Sequence, residues 1–372
     1  MFAIRNERGV ALAVAVFALV IVGGLVGGAL FLGMQEQRVG LNSMRHQQAF
    51  AAAEEGAQLQ LARWDPEVLN VLAVGSDTAY NGTLPNGTGW YRGSVRRLND
   101  ELFLVRSEGF SPDSQTRQQV GLLVRLRPIE ININAALKTQ GATKIGGSSL
   151  IDGNDQAPAG WTCPPLEPAL PGIRIPDPSD VTTSGCGGND TTCVVGDPKI
   201  LEDPTIDTGT LTTFGDVEWD DLVGLASKVL TGGNVGITPV VSGGTCDTGV
   251  LTNWGDPLDP TGPCGNYFPI IYSENTLRIN GDRGQGVLIV NGDLEVQGNF
   301  EFFGPVIVKG HLKTTGTGGH FNGGVIAANV DLEQNTVLGN AVVNFSSCAL
   351  LKALNGSASA ALLQERSWVN LF

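Results

Sequence analysis

Residues 10–33 form an uninterrupted apolar run that contains no charge, no side-chain amide and no proline. A helix rises about 1.5 Å per residue, so these 24 residues would span about 36 Å, which is enough to cross a bilayer. Two basic residues, Arg5 and Arg8, precede the run. Because basic residues favour the cytoplasmic side, we predict a single membrane span with a cytoplasmic amino terminus and an exported remainder.

Other amino-terminal segments also carry apolar runs. A secretory signal has a shorter run, about 7–15 residues, followed by a small-residue cleavage site. Here the run is too long, and the sequence after Gly33 is a poor site. A plain signal anchor stays open as an alternative. Against it stands Glu7-Arg8-Gly9, which lies directly before the run.

The helix is predicted to continue beyond the membrane. Residues 34–63 contain no proline and are rich in Ala, Gln, Glu, Leu and Arg, which favour helices. One helix is therefore predicted from Val10 to about Arg63, half in lipid and half outside. Pro66 ends it, because proline disfavours the helical conformation in the residue before it.

Three segments together resemble the PilX-type minor pilins of type IV pili. They are Arg-Gly-Val-Ala-Leu at 8–12, the apolar run, and Ala-Phe-Ala-Ala-Ala-Glu-Glu at 49–55. The resemblance covers the first 65 residues or so. It implies that residues 1–9 are a class III leader, with charges at Arg5 and Arg8, and that prepilin peptidase cuts between Gly9 and Val10. The mature chain of 363 residues would keep its membrane helix.

The resemblance also implies a location and partners. The chain would sit in a bacterial inner membrane as a single-pass protein and then face the periplasm or join a surface filament. Its partners would be other pilins or pseudopilins, prepilin peptidase, the inner-membrane assembly machinery and membrane lipid.

Two positions depart from the family's pattern. Most pilins carry Glu at the fifth mature residue, where this chain has Val14, and many begin with Phe, where this chain has Val10. The missing carboxylate favours a minor, initiating or tip component over a major filament subunit. The K-type pseudopilins of type II secretion also lack this Glu, so a pseudopilin is the alternative function.

Four glycines lie inside the apolar run, in two pairs four residues apart. This spacing lets the backbones of two membrane helices approach closely, although small residues are also common in membrane helices without such a role. The predicted helix-packing residues are Gly23, Gly24, Gly27 and Gly28.

The first exported segment, residues 66–130, is predicted to form a small antiparallel sheet. Residues 75–89 are expected to be a loop, and strands are expected at 90–98, 101–108 and 118–126. Between residues 91 and 127 there are seven Arg and four acidic residues, a local charge of +3. This basic sheet could meet an acidic subunit surface, or it could be an ordinary solvated face.

Residues 131–270 are expected to be loop-rich, apart from a short helix at 217–230. The six cysteines lie in the exported region, and their even number favours disulfides over a zinc site. Short loops favour two of the pairs and leave the third, although the sequence does not fix the connectivity. The favoured pairs are Cys186–Cys193, Cys246–Cys264 and Cys163–Cys348.

Residues 271–372 are predicted to be a β-solenoid-like stack with a terminal helical cap. Valines at 287, 306, 325 and 342 begin short apolar strands at spacings of 19, 19 and 17. Such a period with Gly and Asn corners is typical of stacked β-coils. The predicted fold class is therefore α+β: a long amino-terminal helix, a small antiparallel sheet, a disulfide-tied loop-rich region and a β-solenoid-like stack.

The charge and the motifs exclude several functions. A net charge of −14 disfavours nucleic-acid binding, and the chain has no H-E-x-x-H, G-x-S-x-G or Walker sequence. His311 and His320, near Lys309, Asp293 and Asp331, could suggest a carbohydrate-cleaving groove. However, His311 stands in its repeat at the turn position that Asp293 occupies in the preceding repeat, which fits a structural corner better.

We therefore expect a minor pilin-like subunit of a type IV pilus or related filament, concerned with assembly and with tip presentation or adhesion. We expect no enzyme activity, cofactor or metal. The remaining alternative, from another class, is a membrane-tethered surface protein that binds or cleaves an unknown glycan.

Overall fold

The computed structural model describes residues 8–70, 72–99, 101–127, 131–186, 192–214, 217–328, 335–363 and 368–370. The chain divides into two compact units. We call them the anchor unit (Met1–Arg63, Val74–Arg125 and Leu362–Phe372) and the stack unit (Trp64–Ala73 and Leu126–Ala361).

The anchor unit begins with helix α1, Arg8–Ala62, which is continuous over 55 residues. It matches the predicted single helix. In the described part of the chain, one helix is long and apolar enough to cross a membrane, and it is this one.

Four consecutive antiparallel strands, joined by a strand from near the carboxy terminus, complete the anchor unit. Strands β2 (Trp90–Arg97), β3 (Leu102–Phe110) and β4 (Arg117–Arg127) lie within two residues of the predicted ones. A further strand, β1 (Asp77–Thr83), pairs with β2 along seven residues and corrects the expectation of a loop there. The sequence did not indicate this strand, because it is rich in Asn, Gly and Thr, and an edge strand tolerates such polar residues. Trp368–Asn370 pairs antiparallel with β4.

The stack unit is built from parallel strands on three faces, visited in the order A, B, C by each coil of the chain. One coil consists of Ile270–Ser273 on face A, Leu277–Asn280 on face B and Arg283–Gln285 on face C. Each of these strands pairs in parallel with the corresponding strand of the next coil. In spatial order, face A contains Lys228–Leu230, Ile270–Ser273, Val287–Val290, the second half of Glu301–Val308, the second half of His320–Ala327, Leu137–Thr139, Ile173–Ile175 and Ile200–Glu202.

Faces B and C follow the same spatial order. Face B contains Gly233–Val235, Leu277–Asn280, Leu294–Gln297, Leu312–Thr315, Asn335–Val337, Thr143–Gly146 and Val181–Ser184. Face C contains Arg283–Gln285, the first halves of Glu301–Val308 and His320–Ala327, Val342–Phe345, Leu150–Asp152 and Val194–Val195.

The corner between faces C and A needs glycine. Gly304 has φ +131° and lies opposite Gly323 of the next coil, which has φ +144°. A Cβ added to Gly304 would lie 2.1 Å from the carbonyl oxygen of Gly286. Only a residue without a side chain allows the chain to turn this corner in contact with its neighbour.

The spatial order of the coils differs from their order in the chain. The chain enters in the middle of the stack, winds outward through 137–202 to one end, and reappears at the other end at residue 228. It then winds back, and the coil at 325–345 stacks on the coil at 137–152, with Val325 opposite Leu137 and Val343 opposite Ile151. We call this contact the seam.

Two sequence expectations are corrected here. Residues 137–202 were expected to be loop-rich, and they also supply short parallel strands. The sequence did not indicate these strands, because three-residue strands between polar turns leave no readable period. The aligned valines are also only partly in register. Val325 lies opposite Val306, but Leu288 rather than Val287 lies opposite Val306, and Val342 lies opposite His320.

Short helices and turns connect and cover the stack. The expected helix at 217–230 is shorter, because its last residues form a face A strand. The helices of the stack unit are α2 (Pro66–Leu69), α3 (Thr208–Thr212), α4 (Trp219–Gly224) and α5 (Ser347–Gly356). The unit also contains the 3₁₀ turn Pro178–Asp180 and the strand pairs Thr213–Phe214 with Val217–Glu218 and Val241–Ser242 with Thr245–Cys246. The remaining elements of the chain are the 3₁₀ turn Pro85–Gly87 in the anchor unit and the strand Ser359–Leu362.

Faces A and C are both covered on the outside. Val287–Val290 is buried at every position, so face A is covered, and the segment at 203–225 contributes Leu211, Phe214, Trp219 and Leu222 to the same core. Helix α5 packs on the coils at 301–308 and 320–327. It therefore lies against the middle coils, where Ala353 is beside Gly304 at the corner between faces C and A, and not over an open end, where the predicted cap would lie.

Three disulfides tie the stack unit. Cys246–Cys264 and Cys186–Cys193 close short loops of 18 and 7 residues. Cys163–Cys348 joins the excursion that follows the coil at 137–152 to the start of α5 and closes 185 residues. Asp155 reinforces the same junction, since its side chain accepts hydrogen bonds from Ser347 N and Ser347 Oγ.

Candidate functional site: the amino-terminal helix and its sheet

The first half of α1 is apolar and exposed. Residues 12–44 are exposed throughout, with Leu12 70% and Leu19 74% accessible. An aqueous solvent would not support such a surface, so this half is suited to lipid or to other apolar helices. Gly9 and Val10 lie in the first turn of α1, as does Arg8, while Arg5 lies outside the described residues.

The four glycines of the apolar run have open surroundings in the single chain. A Cβ added at any of them would meet nothing within 4 Å: Gly23, Gly24, Gly27 and Gly28. The space above these glycines is therefore free to receive another helix.

The second half of α1 packs on the sheet through small residues. The buried stripe follows helical spacing and is fully inaccessible at its alanines: Ala49, Ala52, Ala53, Gly56 and Ala57. Because these side chains are so small, the helix backbone lies directly on the strands.

Gly109 on β3 marks the closest approach of helix and sheet. A Cβ added there would lie 2.1 Å from Ala53 N and 2.2 Å from Ala49 O, both backbone atoms. Gly56 meets the sheet from the other side, since its Cβ would lie 2.5 Å from the ring of Tyr91. The interface therefore requires glycine on both surfaces, and no sequence period indicates this.

Polar contacts fix the rotation of α1 on the sheet. Arg45 forms an ion pair of 2.7 Å with Asp113, and His46 lies 2.7 Å from the Gln118 amide nitrogen. The Ser111 hydroxyl, the Gln115 backbone N–H and Arg45 hold the pKa of Asp113 below its usual value, the hydroxyl most strongly. Burial raises the pKa of Tyr80 to about 12, and its hydroxyl donates to the Arg106 carbonyl oxygen.

The histidines of the stack have structural partners. His311 Nδ1 lies 2.9 Å from Asp293 Oδ1, and the same oxygen accepts from His311 N. His320 lies 3.6 Å from Glu301, and the Lys309 ammonium stands over the ring of Trp219. Within the described ranges no three His, Cys, Asp or Glu residues are grouped to hold a metal. Asp331 lies outside those ranges.

No protein-family model matches the sequence, and no curated protein matches it. Among solved structures, the chain is similar to the competence-associated pilin ComZ from Thermus thermophilus, with 14% identity and a TM-score of 0.25. The similarity covers 88% of this chain and 97% of that one. A TM-score this low does not establish a common fold.

Proposed function

We propose that this chain is a minor pilin-like subunit of a type IV pilus or a related filament. The observation that carries the proposal is the division of α1 into two halves. Residues 12–44 are exposed, apolar over most of their length and free to pack in lipid or against other helices, while the small-residue stripe at 49–57 seats the rest on an antiparallel sheet.

The amino terminus would be processed as in PilX-type minor pilins. Residues 1–9 would be the leader, with Arg5 and Arg8 on the cytoplasmic side, and prepilin peptidase would cut between Gly9 and Val10. The partners would be other pilins, which contact the open glycines of α1, and the inner-membrane assembly machinery. Val14 offers no carboxylate to a neighbour's amino terminus, which favours a minor position and keeps a secretion-system pseudopilin as the second candidate.

The stack unit would be the exported cargo of this helix. Its coils support the interpretation of a short β-solenoid, presented at the filament tip or along its side, with adhesion as the task. The His311–Asp293 contact supports a structural corner rather than a catalytic group, so we propose that the chain is not an enzyme.

Mass spectrometry of the mature amino terminus tests this proposal. We expect a chain that begins at Val10, and an uncut chain when Gly9→Arg is introduced. Gly40→Arg is the matched control, because Gly40 lies on the exposed part of α1 outside the apolar run and has open space around it. A chain that begins at Met1, or after residue 33, would contradict the proposal.

Shearing of surface filaments provides a second measurement. The chain should appear in the sheared fraction together with other pilins. If the intact chain is found only in the inner membrane, the proposal that it is incorporated into a filament is wrong, whatever the state of its amino terminus.

A further inference from the structure

The charge of the chain is segregated between its parts. Residues 126–361 contain 11 basic and 25 acidic residues, so they carry the whole net charge of −14. The remaining residues contain 12 of each and are neutral. The acidic part can therefore attract any local basic surface on another copy, because opposite charges steer association.

The basic surface is the face of the sheet opposite α1. Within residues 90–125 of strands β2, β3 and β4, the alternate residues that point away from the helix include five exposed arginines, while most helix-facing residues between them are buried. We call this surface the outer sheet face, and its arginines are Arg92, Arg96, Arg106, Arg117 and Arg125.

Internal acids neutralise only part of this surface. Glu108 pairs with Arg92 at 2.9 Å and lies 3.9 Å from Arg117, while Glu101 pairs with Arg125 at 2.7 Å. Arg96 and Arg106 form no ion pair with any described residue. They are therefore two cations of this surface that can bind an external acid.

The centre of the outer sheet face is apolar. Leu104 lies opposite Arg96 on one side and Leu123 on the other, and both leucines are half-buried. Half-buried leucines surrounded by arginines match the composition of protein interfaces, which have an apolar centre and a polar rim and are enriched in Arg.

The stack unit carries a surface of complementary design. Glu218, Asp220 and Asp221 are exposed on and before α4, and Glu274 is exposed on a neighbouring coil. Asp220 and Glu274 lie close enough to Tyr272 that both raise the pKa of its hydroxyl, after the larger effect of burial.

Two exposed apolar residues accompany these acids. Leu225 is 42% accessible and directly follows α4, and Val229 is 47% accessible and pairs with Tyr272. We call this surface the α4 ridge. Lys309 lies beside this surface, with its ammonium 5.1 Å from the centre of the Trp219 ring.

We propose that the outer sheet face of one copy binds the α4 ridge of a second copy of this chain. Arg96 and Arg106 would pair with Asp220 and Glu274, and the half-buried leucines would cover Leu225 and Val229. The two surfaces differ, so the contact is heterologous and can repeat from copy to copy. This inference concerns self-association and does not depend on leader cleavage.

The test measures self-association of the full chain in a neutral detergent by analytical ultracentrifugation. Association through the apolar α1 should be nearly independent of salt, so the readout is the difference between about 50 mM and about 500 mM NaCl, where surface charges are screened. We expect the wild-type chain to dissociate at the higher salt.

Two variants each reverse one surface: Arg96→Glu/Arg106→Glu, and Asp220→Lys/Glu274→Lys. Each alone should weaken the salt-sensitive association at least about tenfold, because like charges then face each other. An equimolar mixture should restore it, since each variant supplies the surface that the other now needs. The control Asp180→Lys/Glu202→Lys changes the net charge by the same amount as Asp220→Lys/Glu274→Lys, but elsewhere on the stack unit, and should leave association unchanged.

Three results would overturn the proposal. The first is a wild-type chain with no salt-sensitive association. The second is retention of that association in both reversal variants, with urea midpoints showing that they are folded. The third is salt-sensitive binding to vesicles that contain anionic lipid without any self-association, which would assign the outer sheet face to the membrane surface.

Discussion

The disulfide Cys163–Cys348, which we call the seam disulfide because it joins the segments on either side of the seam, should stabilise the stack unit more than the other two disulfides. Replacing Cys163 and Cys348 with serine opens a loop of 185 residues, whereas replacing Cys186 and Cys193 opens one of 7. In the chain-entropy model these crosslinks contribute about 5 and about 2 kcal/mol to the free energy of unfolding. A loss of about 5 kcal/mol is a large part of the total stability of a typical domain, about 5–15 kcal/mol.

The assay is urea unfolding of the full chain in detergent, followed by tryptophan fluorescence. Trp254 is fully buried in the stack core against Phe300 and Phe302, so its emission reports on this unit. The short-loop variant is a matched control, because Cys348 and Cys193 are buried to similar extents, 1% and 4% accessible. The serine hydroxyl therefore costs about the same in both folded states.

The expected difference between the two variants is about 3 kcal/mol in the free energy of unfolding. A variant of Cys246 and Cys264, whose loop closes 18 residues, should fall between them. If the seam variant loses no more stability than the short-loop control, the two halves of the stack do not meet as described, and the reasoning is refuted.

Two further predictions concern the anchor unit. Gly109→Ala should destabilise it by about 1–3 kcal/mol, because the new Cβ meets helix backbone. The control Gly40→Ala should be neutral or stabilising by up to about 1 kcal/mol, because Gly40 has open space around it and Ala favours helix. Thermal unfolding compares the two variants, and equal melting temperatures would contradict the close packing at Gly109. Tyr80 keeps its proton up to a pKa of about 12 when folded but loses it near 10.0 when unfolded, so stability should fall as pH rises from 10 to 12, by about 2 kcal/mol. Tyr80→Phe should abolish this fall in pH-dependent urea titrations, and a Tyr80 that ionises near 10 by ultraviolet absorbance would contradict its burial.

Local signals predicted the anchor unit well. The apolar run and the helix formers that follow it specify α1, and alternating residues specify β2, β3 and β4, because each signal lies within one element. The mixed α+β class, with its long helix, antiparallel sheet and disulfide-tied remainder, is confirmed. The strand β1 was missed because polar residues fill an edge strand.

The order of the stack could not be predicted in the same way. Leu137 pairs with Val325 and Thr143 with Asn335, and no local pattern joins segments so far apart in the chain. Strands of three residues are also too short to show a period. The close approach at Gly109 was missed for a related reason, since a lone glycine in a strand does not identify the helix that lies against it.

Leader cleavage at Gly9 and the role of the glycines in the apolar run stay predictions. Both depend on partners, a peptidase and neighbouring helices, and the fold of one chain does not test them. For the outer sheet face, by contrast, the fold added information that the sequence lacked. Its arginines were visible in the sequence, but only the strand register separated Arg96 and Arg106 from those that Glu108 and Glu101 neutralise.

The seam has a consequence for how such proteins can change in length over evolution. The chain enters and leaves the coils near the middle, so both extremities of the stack are made by interior segments, at 173–202 and 228–235. Coils inserted at either extremity would leave the entry point, the exit at α5 and the seam disulfide untouched. Each new coil would add about 4.8 Å, and the crossing segment at 203–225 would need only one or two more residues, at about 3.3 Å each, to keep pace.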